Sequence, residues 1–305
     1  MSLKIIHTKN LTWHDIIKPD DADLQYMKDH FPFHPLDYED VITPSTRPKI
    51  DEYDNYHFII LLFPYLKKDS EEIKPTEVDF FVGSDYLVTI HDGEMKTLNN
   101  LVSNAAAYDN VRNQHMQQTS GFLLFSILEL LFKRSFPILD HINRSLDQAG
   151  RDIFQADFKT LKRFSTLKKN IIIYRRIMKM HKFVLSKLAR SKHGYLQFQY
   201  SKNYFQNLIE YAENIWDVLS SDKETAESYE ETNQSLAAHR MSDILRTLTI
   251  FSVIIFILTL FINVMLFAET TTSLAEFPGL LPLTILGMFV LTFALLWLFK
   301  RRKWL

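Results

Sequence analysis

The chain has 305 residues, with 35 Lys and Arg against 36 Asp and Glu, and a formal net charge of -1. It therefore lacks the excess of positive charge that is typical of a nucleic-acid-binding protein. It has no cysteine, which excludes disulfides, thiolate zinc sites and cysteine nucleophiles. None of its seven glycines stands in a GxxxxGK or GxGxxG pattern, which argues against a nucleotide partner.

Residues 1–97 predict a cytoplasmic α/β sheet domain. Runs rich in Ile, Val, Phe and Tyr are bounded by turn formers such as Gly83-Ser84-Asp85 and Asp92-Gly93. The predicted strands are Ser2–His7, Tyr56–Pro64, Glu77–Val82 and Tyr86–His91, and the predicted short helices are Asp20–Phe31 and Pro35–Val41.

Residues 98–246 predict a cytoplasmic helical and stalk region. Its apolar spacing is helical, and no Gly or Pro interrupts the chain from Tyr195 to Phe277. A helix from about Tyr204 to the end of the next apolar run would extend roughly 100 Å. Such a helix is stable only when it packs against other helices or copies of itself, which points to an oligomer.

Two oppositely charged segments lie in this region. Lys159–Lys192 has twelve Lys or Arg and no acid, whereas Glu210–Glu231 has eight acids and one Lys. The pattern favours neighbouring helices whose solvated faces attract each other; a basic surface for nucleic acid or for an anionic membrane leaflet is the alternative.

Two uncharged apolar runs, Thr247–Ala268 and Phe277–Phe299, lie near the end of the chain and contain 22 and 23 residues. As a helix each would cover roughly 33 Å, close to the hydrocarbon thickness of a bilayer. Residues 247–305 therefore predict a transmembrane hairpin with a basic tail. A buried helical hairpin of a soluble protein is the alternative.

The charges around the hairpin predict its orientation. Arg246 precedes the first run, whereas the linker between the runs carries two acids, Glu269 and Glu276, and no cation. The basic tail after the second run consists of Lys300, Arg301, Arg302 and Lys303. By the positive-inside rule both termini are cytoplasmic, as in a multi-pass protein of the cell membrane.

The first apolar run has a polar face that is suited to a pore. Ser252, Phe256, Thr259 and Asn263 follow a 4-3-4 spacing, and the face continues toward the N-terminus through Ser242, Leu245 and Leu248. A ring of such helices would line a pore with polar and apolar collars. The alternative is that the polar side chains hydrogen-bond between helices of a packed bundle.

The linker acids Glu269 and Glu276, repeated in every subunit, would concentrate cations at the external mouth. Ordinary solvated loop carboxylates are the alternative interpretation.

Three segments carry a resemblance to a known family. HPLDYEDVITPSTRPKIDEYDNYHFIILLF (His34–Phe63), DILRTLTIFSVIIFILTLF (Asp243–Phe261) and KRRKWL (Lys300–Leu305) resemble the CorA family of divalent-cation channels. The resemblance implies an α+β cytoplasmic domain, a long stalk helix and two C-terminal transmembrane helices in a funnel-shaped homopentamer. It also implies passive transport of Mg2+, with Co2+, Ni2+ or Zn2+ as further candidates, and neither nucleotide nor organic cofactor.

The chain departs from the family's Gly-Met-Asn signature, whose Asn ring is the entry filter for hydrated Mg2+. Ungapped matching puts Leu266, Phe267 and Ala268 at that position, and the motif occurs nowhere in the chain. Asn263, about one turn deeper, is the nearest amide upstream. A non-conducting scaffold or regulatory protein of the same shape is therefore the second functional hypothesis.

A second departure concerns regulation by Mg2+. Where family members have a metal-binding carboxylate on the stalk helix, the matching residue here is Asn207. Glu210, Glu213 or Asp217 on the same helix could substitute for it, and ordinary solvated stalk acids are the alternative interpretation. Because an amide is a weaker ligand than a carboxylate for a hard cation, this predicts weakened or relocated feedback. The eleven histidines are scattered along the chain, and no catalytic dyad or triad is evident.

Overall fold

A six-stranded sheet, in the order β1-β2-β6-β5-β4-β3, is the framework of the first part of the chain. The computed structural model describes residues 2–45, 47–66, 71–152, 158–271 and 280–301. All neighbouring strands pair antiparallel except β2 and β6, which are parallel. The strands are β1 (Leu3–His7), β2 (Thr12–Ile17), β3 (Lys49–Glu52), β4 (His57–Leu66), β5 (Ile73–Val82) and β6 (Tyr86–His91).

Long helices dominate the chain after β6. The helices are α1 (Asp21–His30), α2 (Pro35–Ile42), α3 (Lys96–Ala107), α4 (Asp109–Met116), α5 (Ser120–Asp152), α6 (Phe158–Met178), α7 (His181–Arg190), α8 (Ser201–Thr271) and α9 (Leu280–Arg301). A short 3-10 turn, Gly194–Leu196, lies between α7 and α8. The uninterrupted stalk helix expected from Tyr204 through Arg246 is present as part of α8.

Both faces of the sheet are buried, as β4 illustrates. Ile59 and Phe63 belong to a large core that contains side chains of α3 to α8, whereas Phe58 and Ile60 belong to a second core that contains Met27 of α1. A strand that is buried on both faces has a nearly continuous apolar sequence. The four predicted strands are confirmed with shifted ends, and three of them, β4, β5 and β6, are the largely buried strands of this sheet.

Two strands, β2 and β3, were not predicted. In the middle of β2, Asp15 is buried, and its Oδ1 accepts a hydrogen bond from Thr89 Oγ1 of β6 at 2.5 Å. Polar residues in a strand interrupt the apolar pattern by which strands are detected. Strand β3 is only four residues long, and Lys49, Asp51 and Glu52 are charged.

The chain divides into two compact units, residues 1–229 and 230–305. Within the first unit, side chains of the sheet and of α5 to α8 belong to one hydrophobic cluster, so residues 1–97 share their core with the helices that follow. The division predicted from the sequence, at 97/98 and 246/247, stays a prediction.

The oppositely charged segments are neighbours in the first unit. Lys182 Nζ of α7 lies 2.5 Å from Glu213 Oε1 of α8. The Arg175 guanidinium of α6 lies 4.4 Å from the ring centroid of Trp216 on α8, and its Nε donates to Ser220 Oγ at 3.1 Å. The interpretation as adjacent helices with complementary charge is therefore confirmed for α6, α7 and α8.

Candidate cation pathway

One face of α8 carries all the predicted pore-lining residues. The helix has no break here, so successive residues are rotated by about 100°. Ile250 and Ile257, on the opposite side, are only 8% and 7% exposed, whereas Phe256 is 67% exposed. We call the arc of roughly 120° that carries the predicted residues the outward face; it consists of the half-buried Ser242 and the exposed Leu245, Leu248, Ser252, Phe256, Thr259 and Asn263. Exposure alone does not single out this arc, since Phe251 and Ile255 outside it are also exposed.

The threonines of this helix donate their hydroxyl protons to their own backbone. Thr249 Oγ1 donates to Leu245 O at 2.7 Å, and Thr259 Oγ1 donates to Ile255 O at 2.8 Å. Because the proton is directed into the helix, the lone pairs of each oxygen are left to accept hydrogen bonds from outside. Such an oxygen can contact the water shell of a hydrated cation without removing it.

The residues at the expected external mouth are described in part. Leu266 and Phe267 are exposed side chains on the last turns of α8. Ala268 and Glu269 lie in α8, but their side chains are outside the described part of the structure, and Glu276 is outside the described residues altogether.

The basic tail is also described in part. Lys300 and Arg301 are exposed residues of the last turn of α9, and the Arg301 guanidinium lies 5.4 Å from the ring centroid of Trp297. Arg302 and Lys303 are outside the described residues.

The positions considered for a regulatory metal lie on the first unit's part of α8. Asn207 is half-buried and Glu210, one turn later, is exposed. Glu213, the next acid along this helix, forms the ion pair with Lys182 described above, so its charge is neutralised within the chain. Asn207 and Glu210 together therefore provide one amide and one carboxylate.

The structure also brings together three residues that the sequence analysis left unconnected. Side-chain ligand atoms of Glu52, His57 and His193 all lie within 4.8 Å of one another. Burial lowers the pKa of His57 to about 4, although the Glu52 carboxylate opposes this effect, and a ring of this kind is neutral at pH 7. No spacing in the sequence could signal this cluster, because His193 is far from the other two along the chain.

An α/β domain with a long helix that becomes apolar is the architecture of a membrane-anchored protein. Among the described residues, one helix, α8, is long and apolar enough to cross a bilayer. The fold is therefore that of a membrane protein, and the polar face of this helix is its candidate cation pathway.

The chain belongs to the CorA family: the family model described as CorA-like Mg2+ transporter protein matches residues 8–301. The members of this family are divalent metal ion transporters of the membrane, not enzymes.

Relatives and solved structures agree with this assignment. The putative metal ion transporter YfjQ of Bacillus subtilis (strain 168) is 25% identical over 248 residues, which cover 81% of this chain and 75% of the relative. The cobalt/magnesium transport protein CorA of Thermotoga maritima is 22% identical over 96% of this chain and 83% of its own length. The complete structure of the CorA magnesium transporter from Methanocaldococcus jannaschii has the same fold, with a TM-score of 0.80, 18% identity and coverage of 97% and 92% of the two chains.

Proposed function

We propose that this protein is a passive divalent-cation channel, a homopentamer in the cell membrane whose first transmembrane helix, in α8, lines the pore. In this proposal α9 is a second membrane-spanning helix outside the first, and both termini are cytoplasmic. The observation that carries the proposal is the outward face of α8, on which Ser252, Thr259 and Asn263 provide oxygens at helical spacing in a member of a cation transporter family.

Mg2+ is the ion that this face suits best. Mg2+ prefers oxygen ligands and gives up its water reluctantly, so neutral hydroxyl and amide oxygens that contact its water shell are adequate partners. Carboxylates within the span would be costly in lipid, and the first apolar run contains none. Co2+, Ni2+ and Zn2+ are further candidates for transport through the same pore.

The membrane potential can drive this transport without nucleotide. A divalent cation that moves inward through 100 mV gains about 4.6 kcal/mol, twice the value for a single charge. The apolar collars of Leu245, Leu248 and Phe256 would close the path by narrowing or dewetting it.

In place of the family's filter, we propose that Asn263 forms the entry filter. Five copies of its amide oxygen would surround the axis about one turn below Leu266, which replaces the first residue of the Gly-Met-Asn signature. The Asn263 side chain is exposed on the outward face of α8.

Flux measurements on the reconstituted protein test this function. Liposomes that contain a Mg2+-sensitive dye and a negative-inside potential should show uptake that slows, to the rate set by the concentration gradient, when the potential is abolished. Light scattering of the same preparation in detergent should give the mass of five chains of 36.0 kDa each. Uptake that is insensitive to the potential would contradict the passive mechanism.

The second candidate is a pentameric scaffold that does not conduct. It is favoured by Leu266, Phe267 and Ala268, apolar residues in the place of the ion filter. An intact pentamer without flux of Mg2+, Co2+, Ni2+ or Zn2+ would select this alternative over the channel.

A further inference from the structure

We propose that Glu52, His57 and His193 form a binding site for one transition-metal dication of the Zn2+, Co2+ and Ni2+ type in the first unit of the chain. The site is separate from the pore, and it goes beyond the proposed transport function. It rests on three ligand atoms, two imidazole nitrogens and a carboxylate oxygen, that lie within 4.8 Å of one another.

The fold explains why these residues converge. Glu52 and His57 are cross-strand neighbours at the turn between β3 and β4. His193 follows α7, the helix whose Lys187 Nζ donates to Ile50 O of β3 at 3.5 Å. The segment between α7 and α8 thus passes the edge of the sheet at the β3–β4 turn.

The spacing of the ligand atoms suits a tetrahedral ion. Bonds of about 2.1 Å at tetrahedral angles put ligand atoms roughly 3.4 Å apart. Glu52 Oε1 lies 3.3 Å from His193 Nδ1 and 3.8 Å from His57 Nε2. Two of the three ligand pairs therefore need to move by no more than a few tenths of an ångström. The third pair, the two imidazole nitrogens, lies within 4.8 Å and must close by up to about 1.4 Å.

The fourth position also has an oxygen nearby. Ser191 Oγ lies 3.2 Å from His193 Nδ1 and 3.4 Å from His57 Nε2, on the nitrogens that would bind the ion. Either this hydroxyl or a water that it holds can complete four-coordination, as in zinc sites with three protein ligands and a water.

A neighbouring hydroxyl orients the buried histidine. Tyr195 OH lies 2.8 Å from His57 Nδ1, where it can accept the ring N–H and leave the Nε2 lone pair for the ion. Metal-binding histidines usually have such a partner on the second nitrogen. The His57 side chain is 1% exposed, whereas His193 and Glu52 are 26% and 46% exposed, so an ion can enter from solvent.

The donor set selects against the ion that the pore is proposed to carry. Two imidazoles and one carboxylate suit Zn2+, Co2+ and Ni2+, whereas Mg2+ requires an octahedral shell of oxygens. The nearby Lys187 ammonium acts against any cation here and lowers the affinity. The site would therefore fill when transition metals are plentiful and remain indifferent to Mg2+.

Zinc binding by the full-length protein in detergent tests the site. After treatment with chelator, Zn2+ is titrated in a large excess of Mg2+, which occupies sites made of oxygens. Wild type should bind one more Zn2+ per chain than Glu52→Gln or His193→Gln. His141→Gln, a half-buried histidine on α5, is the matched control and should bind as wild type does. Equal zinc stoichiometry in wild type and both cluster variants would overturn the proposal.

Co2+ reports the geometry of the same site. Four-coordinate Co2+ absorbs visible light far more strongly than six-coordinate Co2+, so wild type and His141→Gln should develop intense bands that both cluster variants lack. The weak bands of six-coordinate Co2+ in wild type would contradict the tetrahedral site. Both measurements report binding alone, and their outcome does not depend on whether the pore conducts.

Discussion

At the scale of single residues, the chemistry of the donors separates two places for cations. The outward face of α8 offers neutral oxygens, and its threonines use their protons within the helix. The cluster at the β3–β4 turn offers imidazole nitrogens. Mg2+ is a hard cation that prefers oxygen donors, whereas the borderline cation Zn2+ prefers imidazole nitrogen. One chain can therefore interact with both ions without competition.

Asn263 is the residue of α8 on which the proposed pore depends most. Replacing Asn263 by Ala removes five amide oxygens from the axis, and we expect Mg2+ uptake into liposomes to fall about tenfold, which is roughly 1.4 kcal/mol. Val264→Ala is the matched control, because Val264 is exposed on α8 about 100° away from Asn263. Unchanged uptake in Asn263→Ala would remove this residue from the filter.

His181 makes the stability of the first unit depend on pH. It is fully buried between Phe63 and Phe132, and burial lowers its pKa from 6.5 to about 4. The unfolded chain therefore binds a proton that the folded chain excludes between these pH values. The contribution of His181 to the free energy of unfolding is therefore fully present above about pH 6.5. It is lost as the pH decreases toward about 4, by about 1.4 kcal/mol per pH unit.

The thermal unfolding midpoint between pH 7 and pH 5 measures this effect. His181→Phe should show a shallower decrease than wild type. His14 and His57, whose pKa values burial lowers to about 4 as well, contribute to the decrease that remains. Phe132→Leu lowers the stability of the same pocket but keeps the titratable group, so its pH dependence should remain closer to that of wild type than the dependence of His181→Phe does. A wild-type pH dependence in His181→Phe would refute the role of His181.

At the scale of elements, the contact between α6 and α8 depends more on one half-buried cation than on the many charges of the two helices. Arg175 stacks on Trp216 and also donates to Ser220, whereas Lys182 and Glu213 form an exposed pair. An exposed ion pair contributes little, because water screens it and two long side chains must be ordered. A partly buried cation–π contact contributes more.

Arg175→Ala should therefore lower the unfolding free energy by about 1–2 kcal/mol. Lys182→Ala, the matched control on the neighbouring helix, should cost less than about 1 kcal/mol. Chemical denaturation of the two variants beside wild type compares these values. A larger cost for Lys182→Ala would reverse the order of the two interactions.

At the scale of the whole molecule, the proposed pentamer would respond weakly to cytoplasmic Mg2+. Asn207 replaces the carboxylate that the family resemblance implies, and an amide holds Mg2+ less strongly. We expect protease digestion of wild type to slow little with added Mg2+. Asn207→Asp should increase this protection, whereas Asn214→Asp, the same change on the exposed side of the same helix, should not. Strong Mg2+ protection of wild type would contradict the weakened feedback.

Much of the architecture could be predicted from the sequence, because its signals are local. The long apolar strands β4, β5 and β6 follow from runs of Ile, Val and Phe, and α8 follows from a stretch without Gly or Pro. The outward face of α8 was also predictable, since residues three and four apart share one side of any continuous helix. Strand β2 was not, because the reason for its buried Asp15 is a hydrogen bond to Thr89 on β6, which is distant in sequence.

By itself the sequence determined the family, the helix periodicity and the candidate pore face, which depend on composition and on spacing over a few residues. Only the tertiary structure decided that Lys182 meets Glu213, and that Glu52 and His57 meet His193. These contacts depend on how α7 passes along the sheet edge and the start of α8. Such packing is set by the summed burial of many side chains, so no local pattern encodes it.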